Sequence, residues 1–170
     1  MEARDALRER PRAFELALRI RHPSMDPAVI SRELKLKPEH SFMAGEPRES
    51  VSGIAAAAVH PESYWLATLD PGEWPAEHLR GLEFPSVPRT SSKERMRVMV
   101  NSLGMALTLS AVHFLRAHAD FLKRVQAEGG DAALLVEVPI EHAQGFTLTP
   151  QVAKVISDLG VSLDFEFTND

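Results

Sequence analysis

The sequence predicts an α+β fold, a two-layer sandwich in which helices cover one face of a four-stranded, mostly antiparallel sheet. Two patterns lead to this prediction. Four segments alternate apolar and polar residues with the period of a half-buried strand, and three others carry helical spacing or helix-capping residues. The chain of 170 residues has the length of one domain, and its hydrophobic fraction of 44% is ordinary for a globular protein.

The four predicted strands cover residues 13–21, 63–69, 132–140 and 161–168. In the first, Phe14, Leu16, Leu18 and Ile20 alternate with polar residues. Because successive side chains of a strand point to opposite faces, the charged residues of these strands should share the polar face. They are Glu15, Arg19, Arg21, Glu137, Asp164 and Glu166.

Two short helices are predicted from their capping residues. Asp26 precedes Pro27, and Thr149 precedes Pro150, which is the order expected of an N-cap followed by the first helical residue. Gly160 is expected to end the second helix in a left-handed conformation. Both ends of the chain therefore run strand, capped helix, strand. This order is typical of an internal duplication, and equally of independent use of the same capping chemistry.

The strongest helical periodicity covers residues 92–128. One uninterrupted helix of that length would measure roughly 55 Å, which is long for such a domain, so we expect a break near Gly104. A second apolar stripe makes this helix hydrophobic on nearly all sides. Either it belongs to the core, or it forms a homodimer interface through Val98, Met105, Leu109 and Val112.

We expect residues 1–12 to be a mobile segment, since they are densely charged and lack an apolar stripe. Residues 13–168 then form a single domain. Among common folds the ferredoxin-like fold is the nearest relative, because its split βαβ topology accommodates this order of strands and helices.

Several kinds of site are missing from the sequence. There is no cysteine, which excludes disulfides, thiolate metal sites and a cysteine nucleophile. No glycine-rich phosphate loop or G-x-S-x-G elbow occurs, and no two histidines have ligand spacing on one element. We therefore assign no catalytic residue, metal or cofactor. Whether His22, His40 and His60 converge in space stays open.

Charge and hydropathy bear on location and partners. The chain has no basic stripe of the kind that nucleic-acid binding requires and no apolar run as long as a membrane span. Its charged start is unlike a secretory signal, so cytoplasm is the expected location. Residues 131–170 contain seven Asp and Glu residues against Lys154 alone, a net charge of −6. An acidic sheet face of this kind suits a basic protein partner.

Residues 22–48 (HPSMDPAVISRELKLKPEHSFMAGEPR), ESYW at 62–65, and the closing segments EGGDAALLVEV and GFTLTP…ISDLGVSLDFEF carry a family resemblance. Together they resemble the bacterial family catalogued as domain of unknown function 4279. Its members share a strand, an acidic-Pro-capped helix with a Leu-x-Leu-x-Pro exit, and a Trp-containing strand. This chain differs at Phe42, where many relatives carry Trp, and in much of its middle. The resemblance implies the same fold class and no particular activity.

Three classes of function follow from the sequence. The first is a non-catalytic cytosolic binding module, such as an immunity-type protein that neutralises a protein partner through Glu137, Asp164 and Glu166. The second is a small-ligand site formed by Glu46, Arg48 and Trp65, in which the guanidinium binds a carboxylate or stacks on the indole. The third is a small hydrolase or isomerase. Polar groups spread over a flat face would favour the first class, and polar groups converging in a pocket the second.

Overall fold

The computed structural model describes residues 14–48, 58–70, 103–139 and 147–168. The predicted mobile segment at residues 1–12 lies outside them. The described elements form an α+β fold with a five-stranded mixed sheet. The strands are β1 (Glu15–His22), β2 (His40–Phe42), β3 (Ser63–Thr68), β4 (Asp131–Pro139) and β5 (Ser162–Thr168). The helices are α1 (Pro27–Leu34), α2 (Leu103–Thr108), α3 (Ala119–Ala127) and α4 (Pro150–Asp158), and a π-helical segment covers Leu109–Leu115.

The strands lie in the order β2-β3-β1-β4-β5. The first four are antiparallel to their neighbours, and β5 is parallel to β4. The prediction of four strands is wrong by one, because β2 has no alternation signal in the sequence. It has only three residues, too few to show alternation, and it begins close after Pro38. A hydrogen bond from the Glu39 N–H to the Leu66 carbonyl (2.8 Å) starts its pairing with β3.

Both predicted helix caps are present. The Asp26 side chain accepts a hydrogen bond from the Ala28 N–H at 2.8 Å, and the Thr149 hydroxyl accepts one from the Val152 N–H at 3.3 Å. Gly160 follows α4 with a φ of +59°, as expected for the residue after a helix end. The two strand–helix–strand units nevertheless differ in pairing: β5 lies directly beside β4, whereas β3 separates β2 from β1.

The predicted break near Gly104 is not tested, because α2 begins at Leu103 and residues 71–102 lie outside the described residues. Gly104 lies within α2, where its carbonyl accepts the Thr108 hydroxyl at 2.8 Å. Within the described residues the helix is interrupted at His118, which is the N-cap residue of α3 and whose φ of −110° and ψ of 21° are not helical. Wide π-helical turns precede this point, and the Arg116 N–H reaches the Ala111 carbonyl five residues back. The extra residue per turn shifts the phase of the apolar stripe before α3 begins.

One face of the sheet carries the core. The inward side chains of β1, β3 and β4 form a continuous buried cluster with residues of all four helices and the π-helical segment. Leu18, Ile20, Leu134 and Val136 are all fully buried there. We call this side the inner face and the opposite side the outer face. The outer face carries the charged strand residues, so the predicted division of the strands into apolar and polar faces is confirmed.

Candidate functional site

Three carboxylates line up across the outer face. Glu15 of β1 is directly opposite Glu137 of β4, and Glu137 is directly opposite Glu166 of β5. All three side chains are exposed, and among the described residues none forms an ion pair with them. Neighbouring strands lie about 5 Å apart, so the three charges form a short line across the sheet. We call these residues the carboxylate row.

The cations of the outer face are already paired with other acids. Arg19 reaches across β4 and contacts Asp164 at 3.1 Å. Arg21 contacts Asp131 at 3.0 Å and Glu62 at 3.8 Å. The hydrogen bond and charge of Asp131, with a smaller contribution from Glu62, raise the pKa of Arg21 above its ordinary value. Asp164 therefore lies on the predicted acidic face and is paired with Arg19, whereas no cation of the described residues pairs with the carboxylate row.

A second group of side chains lines an open cleft of about 680 Å³ beside β2. Its lining residues are Ser41, Phe42, Glu46, Pro47, Arg48 and His60. Phe42 is stacked between two rings, with centroid distances of 3.6 Å to His60 and 5.1 Å to Tyr64. Backbone hydrogen bonds join residues 45–48 to residues 58–60 and hold His60 in this position.

Glu46 and Arg48 play different parts in this cleft. The Glu46 carboxylate accepts the Met43 N–H at 2.8 Å and so stabilises its own turn. Arg48 is exposed, and no acid of the described residues forms an ion pair with it. Arg48 is thus the residue of the cleft with hydrogen-bonding capacity to spare for an anion.

Trp65 does not belong to this cleft. Its side chain is fully buried on the inner face, and its indole Nε1 donates to the Ser31 hydroxyl of α1 at 2.9 Å. The ring is a core residue that ties β3 to α1. A ligand held by Arg48 would therefore not reach the indole, and the predicted combination of Arg48 with Trp65 has no common surface.

The proposed dimer stripe is only partly accessible. Leu109 is 2% exposed within the chain itself, so it packs in the core and is not available to a second subunit. Met105 and Val112 are half-buried and pack against the same cluster. Val98 lies outside the described residues. The second apolar stripe therefore serves the core along the π-helical segment.

The three N-terminal histidines do not form a metal site. Within the described ranges, no group of three His, Cys, Asp or Glu side chains is placed to hold a metal ion. His22 lies on the inner face and is 4% exposed, whereas His40 and the His60–Phe42 stack belong to the outer face around β2.

His22 has a structural role that the sequence did not reveal. Its Nδ1 accepts the backbone N–H groups of Ser24 (3.1 Å) and Met25 (2.8 Å). The ring proton must then be on Nε2, which lies 3.3 Å from a carboxylate oxygen of Glu128. His22 therefore stabilises the turn between β1 and α1. The sequence feature that indicates this role is His22-Pro23-Ser24, which lies just ahead of the Asp26 N-cap.

In the described part of the chain, no helix is long and apolar enough to cross a membrane. The chain was also compared with known proteins. No family model, no curated protein and no solved structure matches it.

Proposed function

We propose that the protein is a non-catalytic binding module of the cytoplasm whose outer face binds a basic surface of a protein partner. The observation that supports this most is the carboxylate row. Like charges directly opposite one another on neighbouring strands destabilise a sheet, and nothing among the described residues compensates them. A cationic partner would supply that compensation.

The shape of the surface supports the same proposal. The carboxylate row spreads over three strands of a sheet face, so it offers an extended area and not a pocket that encloses a small molecule. Such a charged area steers a partner of opposite charge and selects against partners of like charge. An immunity-type protein, which neutralises a basic toxic partner by covering its surface, would use a face of this kind.

The experiment compares two variants with the same change of net charge. The first, Glu15→Gln/Glu137→Gln/Glu166→Gln, removes the carboxylate row. The control, Glu33→Gln/Asp120→Asn/Asp158→Asn, removes three acids of the helical layer, of which Asp120 and Asp158 are exposed and Glu33 is half-buried. Proteins captured from a lysate of the cells that make the protein should be basic. They should be lost with the first variant and retained with the control. Capture of the same proteins by both variants would contradict the proposal.

We also propose that β1–β4 with α1 and the α2–α3 region form a ferredoxin-like unit. Their antiparallel order, β2-β3-β1-β4, is the order expected of a βαββαβ arrangement, and α4 with β5 extends it. The proposed membership of the family called domain of unknown function 4279 assigns no activity, so it does not bear on the choice of partner.

A second candidate function is favoured by the cleft beside β2. The stacked rings of Tyr64, Phe42 and His60 suit a small aromatic carboxylate. They lie next to Arg48, which pairs with no acid among the described residues. The ring of such a ligand would extend the stack while the guanidinium binds its carboxylate. Titration with benzoate should give saturable binding that Arg48→Gln abolishes and the exposed-cation control Lys37→Gln preserves. Equal effects of the two substitutions would exclude this site.

A further inference from the structure

We infer that the partner supplies an extended basic segment that adds to the sheet as a sixth strand along β5. This inference rests on the proposed function and specifies how the partner is recognised. In the described residues β5 ends the sheet, with β4 on one side and no strand on the other. Alternate backbone N–H and C=O groups of an edge strand point away from its neighbour and are available to another strand.

The side chains of β5 select the chemistry of the added strand. Its only charged residues are Asp164 and Glu166, which are both acidic, exposed and on the outer face. Asp164 is already paired with Arg19, so Glu166 is the acid of β5 without a cation partner among the described residues. Pairing of two β5 strands from two copies of the protein would bring these acids opposite one another, which is unfavourable. A strand with Lys or Arg at alternate positions reverses the sign of that interaction. The charges that oppose self-association therefore favour a basic strand.

The inner face of β5 selects the intervening residues. Leu163 and Phe165 are half-buried at the edge of the core, and Phe167 is 59% exposed. An apolar side chain at every second position of the added strand would cover these three residues. The segment that fits β5 thus alternates cationic and apolar residues, and its cations continue the line of the carboxylate row.

The test uses the 170-residue chain and the peptide Lys-Val-Lys-Val-Lys-Val-Lys, blocked at both ends. Three N-methylated forms keep its charge and side chains. One is methylated on the Val amides, one on the Lys amides and one on all seven. The Val-methylated and the Lys-methylated forms each keep one edge with both N–H donors and C=O acceptors, whereas the fully methylated form keeps its C=O acceptors and has no N–H donor among its seven residues. Affinity is measured by fluorescence anisotropy at low and at physiological salt.

We expect the unmodified peptide to bind with an affinity similar to that of the Val-methylated form, the Lys-methylated form or both. The fully methylated form should bind at least about ten-fold more weakly, since several backbone hydrogen bonds are lost. When the peptide binds, amide hydrogen exchange of residues 162–168 should slow. The substitution Phe167→Ala should weaken the affinity for the unmodified peptide several-fold.

Two results would overturn the inference. If the fully methylated peptide binds as tightly as the unmodified one, recognition is by charge alone and strand addition is wrong, although the proposed function stands. If no form binds at low salt, the inference also fails. The capture experiment with the carboxylate-row variant then decides the proposed function independently.

Discussion

Replacing Glu137 by Gln is expected to stabilise the protein, because Glu137 lies between two like charges in the carboxylate row. Directly opposite side chains on neighbouring strands are about 5 Å apart. Coulomb's law gives about 0.8 kcal/mol of repulsion for two unit charges at that separation in water. Glu137 has two such neighbours, Glu15 and Glu166. The substitution should therefore raise the free energy of unfolding by up to about 1.6 kcal/mol at low salt.

The two ends of the row provide the internal control. Glu15 and Glu166 each have one neighbour in the row, so Glu15→Gln and Glu166→Gln should each give about half the gain of Glu137→Gln. Urea unfolding at roughly 10 mM and 500 mM salt measures these differences, and all three gains should shrink at the higher salt as the charges are screened.

Repulsion within the carboxylate row is contradicted if Glu137→Gln lowers stability, if the gains are equal at all three positions, or if salt does not reduce them. Any of these would mean that the side chains avoid one another or that another charge compensates them. The carboxylate row would then no longer be a surface with uncompensated charge, and the main support for the proposed function would be lost.

Three further predictions concern stability. His22→Ala leaves the Ser24 and Met25 N–H groups without an acceptor and should lower the free energy of unfolding by about 3 kcal/mol. In urea unfolding His22→Asn should recover about half of this loss, since the Asn Oδ1 replaces Nδ1 as acceptor. Equal losses in the two variants would show that only ring packing matters. Leu109→Glu should prevent folding as judged by circular dichroism, and Leu109→Ala should lower the free energy of unfolding by about 2–5 kcal/mol. A folded Leu109→Glu monomer obtained from a native dimer would restore the interface interpretation. Burial lowers the pKa of His113 in the folded protein. The unfolded chain therefore binds more protons, and stability should fall as the pH drops below about 6.5. His113→Gln should flatten this part of the pH–stability profile, and an unchanged profile would assign the dependence to another group.

Much of the fold is predictable because local rules and burial agree there. Four strands were predicted from alternation, and α1 and α4 from an acceptor side chain followed by Pro. These signals work at short range, since a cap or an alternating pattern needs only a few neighbouring residues. Strand β2 failed the same rules because three residues are too few for a period, and its pairing with β3 depends on residues more than twenty positions later.

The site was less predictable, because it depends on register. Alternation placed Glu15, Glu137 and Glu166 on one face, but only the pairing of β1, β4 and β5 aligns them. The sheet also brings Arg19 within reach of Asp164 along a diagonal across β4, since Arg19 itself is opposite Ala133. Asp164 therefore has a cation partner, which the carboxylate row lacks among the described residues. For Trp65 and Leu109 the residue type allowed both a surface and a core position, and packing decided for the core.

The central position of β1 has a consequence for folding. β1 is made first, yet it pairs on one side with β3 and on the other with β4, which begins only at Asp131. At typical rates of synthesis, roughly 5 to 20 s separate the completion of β1 from the arrival of β4. During that interval Leu16, Leu18 and Ile20 lack part of their core, and contacts this distant in sequence form slowly. The interspersed Glu15, Arg19 and Arg21 then act as gatekeepers that keep the nascent strand from aggregating.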